Sequence, residues 1–523
     1  MENFLQNSQL VNSKWGVLVV VIIGSFMPIL DTTIVNVALP KIMANFGSAV
    51  DQIEWVVTAY MISFAIIMPA MNWLQKMFGL KSIFMTSLVV FCLGSALCGL
   101  AWDLDSLILF RIIQAIGGGA MMPTGLTLVS EAFPPQERGM ASGVWSIGAM
   151  VAPTVGPFLG GYLVDEISWR WIFYINLPIG AAAMLAALWV LPARRLSQPN
   201  HRFDFLGFGS FSVFLAFLLI ALTKGQREGW DSDIILACFG LSFLGLSSFL
   251  ISWFWVQDPL IDLRLLINRN FLLANIINFV RAVGIFGSLF LIPMFLQNLL
   301  QYSAWRTGII LAPFALSVAV VAPFSGFLTD RIGPRLPLFL GTVLLAFSLY
   351  EYRDISLNSD YWFLLWPQLY RGIGLGLINA PLMSTALNAV RREHMGMASG
   401  LFTVIMQLGG SFGVAMLGTT LQRREFFHYA HYLGLLNNTF SPLFARAQST
   451  LQGLLLDFGV SPADAVSKGK SLLALWVHRQ ASASAFGDAF FFAGLLIAFG
   501  ILPALLIRRN PWPGKAAPRG VSE

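Results

Sequence analysis

Charged residues are scarce in this sequence. They make up 11% of its 523 residues, whereas hydrophobic residues make up 57%. A soluble protein has about 25% charged residues, so this shortage excludes an ordinary soluble domain. The apolar residues form runs long enough to cross a bilayer, and inside a bilayer a helix satisfies its own backbone groups. The sequence therefore predicts an all-α polytopic membrane protein.

Cysteine and histidine are also rare. The three cysteines fall in apolar runs and the five histidines in polar segments, a pattern that predicts neither a disulfide framework nor a metal site. The triplet Gly117-Gly118-Gly119 is not followed by Lys-Ser or Lys-Thr, so it is not a P-loop. No His–acid or nucleophile constellation lies within the apolar runs. We expect no metal, no cofactor, no ATP-driven step and no enzyme activity.

Fourteen apolar runs are long enough, or nearly so, to be transmembrane spans. The first has no small-residue cleavage site at its end and is too long for the core of a signal peptide, so we predict that it is retained. The runs lie at about 15–39, 55–71, 82–101, 105–128, 143–164, 171–191, 204–222, 233–256, 271–296, 307–328, 336–350, 361–384, 397–420 and 486–507.

The basic residues support this count. With the N-terminus in the cytoplasm, 17 of the 32 Lys and Arg residues fall in inside segments, 6 in short outside segments, 6 in the long segment 421–485 and 3 within spans. Positive charge concentrates in cytoplasmic loops, so we expect both termini inside. Because this topology explains the net charge of +6, the charge does not predict a nucleic-acid partner.

A weak internal repeat divides the chain. Residues 72–81 after the second run and 326–335 after the tenth are both short, basic and Gly-containing. The repeat predicts a six-helix bundle at 1–195, two inserted helices at 196–258, and a second six-helix bundle at 259–523 that includes an extracytoplasmic segment at 421–485. A helix-cap sequence at 461–464 predicts a helix through Trp476 in that segment. The segment is either a solvated cap or a docking surface for a partner.

Asp31 is a carboxylate inside the first apolar run. Such a group costs a few kcal/mol in the bilayer and usually serves an ion or substrate pathway. Arg111 in the fourth run is predicted at a similar depth, roughly 9–12 Å below the outer boundary, so the two side chains can meet. Burial and the neighbouring cation act in opposite directions on the protonation of the carboxylate. The pair is either a proton-coupling site or a static ion pair that fixes helix packing.

Several motifs resemble one family. Residues 30–40, LDTTIVNVALP, resemble the first-helix signature of the 14-span drug:H⁺ antiporters of the major facilitator superfamily. Residues 111–119, 148–161, 169–180, 396–401 and 407–411 fit that family's motifs for the fourth, fifth, sixth and thirteenth helices. The order and intervals of the motifs make the resemblance strong, and it covers nearly the whole chain. It implies the major facilitator fold of two six-helix bundles, here with two inserted helices.

The resemblance also implies a function. Such a protein exports amphipathic organic compounds in exchange for protons, as a multi-pass protein of the bacterial inner membrane. Some members of the family work with a periplasmic adaptor and an outer-membrane channel. One alternative is an exporter of a single metabolite, such as a siderophore or a lipid-like anion. Another, of a different class, is a membrane sensor that binds without transport.

Midplane polar residues suggest where a substrate binds. Arg281 and Arg371 are each predicted about 15 Å deep, with Gln407 at a similar depth, and Gln114 follows Arg111 in the fourth-helix motif. Arginines without a midplane acid in the second half favour an anionic or zwitterionic ligand. The alternative is that each arginine bonds neighbouring helix carbonyls.

Small residues and prolines in the fifth run suggest a conformational seam against the second half, or simply tight packing. In the second half Asp330 and Arg331 keep the superfamily's charged inner-loop motif, whereas the first half has Asn72 and Gln75 where Gly and Asp are usual. The predicted seam and gating residues are Gly148, Pro153, Gly156, Pro157, Gly160, Gly161, Asp330 and Arg331.

Overall fold

The computed structural model describes residues 13–192, 203–256, 259–391, 394–436 and 442–508, and every regular element in these ranges is helical. Within these described ranges, twelve helices are long and apolar enough to cross a membrane. Two more, Arg335–Glu351 and Tyr361–Asn388, complete the fourteen predicted spans. The first of these has only 17 residues, at the short end for a span. The predicted all-α architecture is confirmed.

The spans keep their sequence numbers below. The first half consists of spans 1 to 6: Lys14–Phe46, Trp55–Phe78, Leu80–Gly99, Leu104–Ala132, Arg138–Tyr162 and Trp171–Val190. The inserted pair consists of spans 7 and 8, Phe205–Glu228 and Asp233–Trp255. The second half consists of spans 9 to 14: Arg269–Met294, Ala304–Ile332, Arg335–Glu351, Tyr361–Asn388, Met395–Leu436 and Pro462–Ala498.

Shorter helices complete the chain. Span 2 passes through a 3-10 turn at Met68–Ala70, and a π-turn follows span 5 at Leu163–Ile167 and span 9 at Phe295–Leu299. The remaining short elements are Val50–Ile53, Leu263–Ile267, Tyr352–Asp354, Pro442–Asp457 and Ile501–Leu506. The predicted domain boundaries near 195 and 258 lie at or within residues outside the described ranges.

The internal repeat has a backbone counterpart. Gly79 ends span 2 with φ 81°, and Gly333 ends span 10 with φ 95°. Glycine adopts such left-handed conformations readily because it has no Cβ. Each glycine directly follows the second helix of its half, so the two basic turns are structurally alike. We call the face on which span 1 begins and span 14 ends the terminal face.

The inserted pair lies against both halves. Near the opposite face, Arg227 at the end of span 7 forms an ion pair with Glu54 before span 2, at 3.0 Å. Trp230 donates a hydrogen bond from Nε1 to Thr419 of span 13, also at 3.0 Å. Span 8 leaves large apolar side chains such as Phe254 and Trp255 exposed, as expected of a surface that faces lipid.

Spans 13 and 14 continue beyond the apolar runs on the face opposite the terminal face. We call the described residues of 421–485 the outer extension, after the outside location that the sequence predicts. The predicted cap is present, because the Ser461 hydroxyl accepts a hydrogen bond from the Asp464 N–H. The helix that it starts does not end near Trp476 but runs unbroken into span 14. The extension is held by hydrogen bonds between its two long helices, including His428 Nε2 to Asp488 Oδ2 at 2.7 Å. The segment 421–485 is therefore largely helical where it is described.

Candidate functional site

Asp31 is the centre of a buried polar network in the first half. The residue is only 1% exposed. Its carboxylate pairs with Arg111 Nη1 and accepts hydrogen bonds from Gln114 Nε2 at 2.8 Å and Asn176 Nδ2 at 3.1 Å. Spans 1, 4 and 6 thus meet at one charged group. The structure brings together the two residues that the sequence predicted at one depth.

A second layer orients these donors. Ser95 Oγ on span 3 accepts hydrogen bonds from the amides of Gln114 and Asn176, each at 3.1 Å. Arg111 donates from Nε to the Val56 carbonyl on span 2 at 3.2 Å and stacks over the Tyr60 ring at 3.9 Å. A cation over an aromatic face is stabilised by the ring quadrupole. The arginine is therefore held in place even apart from Asp31.

This arrangement suits a group that changes charge. A buried ion pair is strongly destabilised when one partner loses its charge, because the other charge is left uncompensated. Protonation of Asp31 would remove the anion that holds Arg111, Gln114 and Asn176 together. Spans 1, 4 and 6 would then lose a shared contact. The charge of one carboxylate therefore holds three helices in contact.

Sequence reasoning missed three members of the network. Asn176 lies within the quoted motif 169–180, which was a usable signal, and Ser95 is a polar residue within span 3. Tyr60 had no distinguishing pattern. Gln114 was assigned to the substrate cavity, but it is fully buried and bonded to Asp31 and Ser95. In this structure it is part of the carboxylate network, and its place in a substrate cavity stays a prediction.

The structure separates Arg281 from Arg371. Arg281 on span 9 donates to the side-chain oxygens of Asn379 on span 12 and of Asn278. Arg371 lies eight residues before Asn379, which is about 12 Å along the helix. The two arginines therefore lie at two levels and not in one cluster. Gln407 is partly exposed, and within the described residues it forms no hydrogen bond with either arginine.

Arg371 is fully buried. It donates from Nη2 to Gln368 Oε1 at 2.7 Å and stacks over the Phe314 ring at 4.2 Å. In the described part of the chain, its Nε and Nη1 have no hydrogen-bond partner. Buried donors are normally paired because an unpaired one loses its hydration without compensation. This site therefore has capacity for a further acceptor.

The predicted seam glycines of span 5 have contacts that fit the second alternative, tight packing. A Cβ on Gly156 would lie 2.0 Å from Thr33 Oγ1, and one on Gly148 would lie 2.6 Å from Ile22. Gly160 likewise approaches Ile34, whereas a Cβ on Gly161 would have no neighbour within 4 Å. The three glycines with close neighbours face span 1 of their own half, not the second half. Pro153 lies within the same helix, and the side chain of Pro157 is outside what the structure describes.

The halves contact each other at both ends of spans 5 and 10. Near the opposite face, the ring centroids of Phe158 and Trp305 lie 5.3 Å apart, and the polar contacts lie near the terminal face. Asp330 on span 10 accepts hydrogen bonds from the N–H groups of Gly139 at 3.1 Å and Met140 at 3.0 Å. These donors belong to the first turn of span 5, where a helix favours an anion. Arg331 stacks over Phe327 at 4.3 Å. In the first half, uncharged Asn72 and Gln75 approach Gly396 at the start of span 13.

Comparison with known proteins identifies the family. Residues 21–414 match the profile of the Major Facilitator Superfamily. The chain belongs to the major facilitator superfamily. It is therefore a multi-pass membrane transporter and not an enzyme. The family resemblance and the fold expected from the sequence motifs are both confirmed.

Several relatives cover most of the chain. The multidrug export protein EmrB of Escherichia coli is 32% identical over 434 residues, which are 83% of this chain and 85% of EmrB. The fatty acid resistance protein FarB of Neisseria gonorrhoeae is 31% identical over 78% of this chain and 80% of FarB. YhcA of Bacillus subtilis, an uncharacterized MFS-type transporter, is 28% identical over 94% and 92%. This major facilitator protein is thus related to multidrug exporters.

A solved structure shares the fold. The human organic anion transporter MFSD10 aligns with 93% of this chain and 99% of its own, with a TM-score of 0.58 and 14% identity. At this identity the similarity concerns the fold alone.

Proposed function

We propose that this major facilitator protein is a proton-coupled antiporter that exports amphipathic organic compounds across the bacterial inner membrane. The observation that supports it most is the Asp31 network, in which one buried carboxylate binds three donors from two other spans. The kinship with EmrB supports the same substrate class. In this proposal both termini are cytoplasmic, so the terminal face is the cytoplasmic face.

The cycle follows from the network. With Asp31 charged, spans 1, 4 and 6 are held together through Arg111, Gln114 and Asn176. When the site opens to acidic water outside, the carboxylate takes up a proton and its contacts weaken. The loosened helices then favour the alternative arrangement, in which the proton leaves to the cytoplasm and substrate binds. Parallel six-helix halves rocking about a midplane site are suited to this exchange.

A substrate screen on reconstituted protein tests the proposal. Protein in liposomes with an imposed pH gradient should move an amphipathic substrate uphill, with proton flux in the opposite direction. Binding with no substrate-dependent proton flux would instead support a membrane sensor. The liposome assay needs no partner protein, so it tests the carrier alone.

A narrower substrate class has its own support. Arg371 is a fully buried cation with two unpaired donor atoms among the described residues, which favours anionic compounds. The relative named for fatty acid resistance, FarB, fits the same class.

We also propose that the outer extension contacts a periplasmic adaptor, which would continue export to an outer-membrane channel. Exposed Phe426, Phe458 and Trp476 on that extension support a docking role.

A further inference from the structure

The fourth helix of each half carries a buried Arg–Gln pair in the same register. Each helix begins at an aspartate that accepts a hydrogen bond from the backbone three residues on, at 2.8 Å in both cases. The pair follows 8 and 11 residues after that aspartate. The matching residues are Asp103, Arg111 and Gln114 in span 4 and Asp360, Gln368 and Arg371 in span 12. The order of Arg and Gln is reversed.

The packing of the two helices confirms the register. A Cβ on Gly117 would lie 2.4 Å from a backbone nitrogen of span 3, and one on Gly374 would lie 2.8 Å from a backbone oxygen of span 11. Gly119 and Gly376 in turn approach spans 2 and 10. These spans are the third and second helices of their halves. The two Arg–Gln pairs therefore occupy equivalent places in the two bundles.

The guanidinium groups have equivalent surroundings as well. Arg111 stacks over Tyr60 of span 2 at 3.9 Å, and Arg371 stacks over Phe314 of span 10 at 4.2 Å. In the first half, the pair binds the carboxylate of Asp31 on the first helix. In the second half, the corresponding helix, span 9, has no Asp or Glu. The Gln368–Arg371 pair thus resembles the Arg111–Gln114 pair, but span 9 supplies no carboxylate equivalent to Asp31.

We propose that the Gln368–Arg371 pair binds the carboxylate head group of an amphipathic substrate. The proposal rests on the proposed export function and specifies its substrate class. Arg371 Nε and Nη1 and Gln368 Nε2 have no hydrogen-bond partner within the described ranges. A guanidinium binds a carboxylate through two parallel hydrogen bonds from neighbouring N–H groups. For Arg371 these are Nε or Nη1 together with the second N–H of Nη2, because Nε and Nη1 point to opposite sides of the group. The Gln368 amide can add a third hydrogen bond. Gln114 Nε2 already does this for Asp31 at 2.8 Å.

The site is closed in this conformation, because Arg371 and Gln368 are both fully buried. One wall, Phe314, belongs to span 10, and span 10 is the helix that packs against span 5 across the two halves. There a Cβ on Gly143 would lie 2.3 Å from the Ala322 carbonyl oxygen. The site therefore lies within the second half, beside the helix that contacts the first half.

The test compares ligands that differ only in the head group. Dodecanoate, dodecanol and acetate are titrated onto the full-length protein in nanodiscs, and binding is measured calorimetrically. Arg371→Gln should weaken dodecanoate binding about tenfold or more and leave dodecanol binding unchanged, because only the charged hydrogen bonds are lost. Arg371→Lys keeps the charge without the bidentate geometry and should give a smaller loss. Arg306→Gln, which removes a charge from the first turn of span 10, should change neither.

Three results would overturn the proposal. These are an unchanged dodecanoate affinity in Arg371→Gln, an equal loss for dodecanoate and dodecanol with reduced thermal stability, or Arg371-dependent binding of acetate but not of dodecanoate. The last would indicate a free small-anion site. Uphill transport of dodecanoate by the wild type, driven by a pH gradient and compared with protein-free liposomes, is measured in parallel. Its absence, with Arg371-dependent dodecanoate binding present, would reject the antiport proposal and leave the site standing.

Discussion

Gly139 on span 5 and Gly326 on span 10 hold the two halves in backbone contact near the terminal face. A Cβ on Gly326 would lie 2.2 Å from the Gly139 carbonyl oxygen. Ser399 and Thr127, from spans 13 and 4, add a hydroxyl contact at 3.0 Å between the halves. The structure is therefore closed at this face. The backbones of spans 5 and 10 can approach this closely because neither glycine has a side chain.

Gly326→Ala should open this contact. The added methyl group cannot fit against the Gly139 carbonyl, so the closed state loses stability relative to the state in which the halves separate here. Spin labels at the terminal ends of spans 5 and 10 should report a larger fraction of long distances. Gly161→Ala is the control, because nothing lies within 4 Å of its Cβ position. A distance distribution unchanged by Gly326→Ala would contradict this account of the seam.

Asp330→Asn should weaken the same closed state electrostatically. The carboxylate at the first turn of span 5 loses its charge, and such an interaction is worth about 0.3–2 kcal/mol. The ratio of closed to open molecules should fall between about twofold and thirtyfold, measured with the same spin labels. Asp354→Asn, an exposed aspartate near the opposite face, should leave the ratio unchanged. A similar shift in both variants would show a general charge effect.

Asn176→Ala should destabilise the protein by about 1–3 kcal/mol, because a buried carboxylate loses a hydrogen-bond donor. The free energy of unfolding in denaturant measures this loss. The exposed Asn358 offers a matched control, for which Asn358→Ala should change stability by less than about 0.5 kcal/mol. Equal values for the two variants would remove Asn176 from the network.

Replacing residues 437–470 by a Gly/Ser linker should leave the bundle folded. The deletion spares the contact between Tyr432 and Ser484 at 2.9 Å, and loop closure costs only about 0.6 kcal/mol per doubling of length. If the outer extension docks an adaptor, the shortened protein should exchange substrate for protons in liposomes yet fail to protect cells. Collapse of liposome transport would place the extension in the transport path. Full protection of cells would make residues 437–470 a dispensable part of the extension.

The sequence predicted the spans well because each must supply about 20 apolar residues. It also placed Asp31 and Arg111 at one depth, since rise per residue in a helix is fixed. It could not show which helix face meets which neighbour. That is why it did not show that Gln114 bonds Asp31 or that three glycines of span 5 face span 1. The sequence did not predict that the helices of the outer extension continue spans 13 and 14. Hydropathy identifies the apolar part of a helix and does not show how far the helix continues beyond it.

The reversed Arg–Gln pair was visible in the sequence only in part. Arg371 was noted as a midplane cation, but its register with Gln114 becomes clear only once the aspartate caps and the glycine contacts are known. The sequence around a buried arginine does not show whether its partner is a carbonyl, an acid or a ligand. The contacts of Nε and Nη1 distinguish these cases, and they depend on tertiary packing.

Uphill transport by Asp31→Asn is the most direct test of proton coupling through the Asp31 network. The amide keeps the shape of the carboxylate but cannot carry a proton, so the variant should reach the membrane and lose proton-driven export. Transport down a substrate gradient is measured on the same liposomes to show that the variant is folded. We expect uphill export driven by a pH gradient to be absent in Asp31→Asn and present in the wild type. Undiminished uphill export by the variant would contradict proton coupling at Asp31.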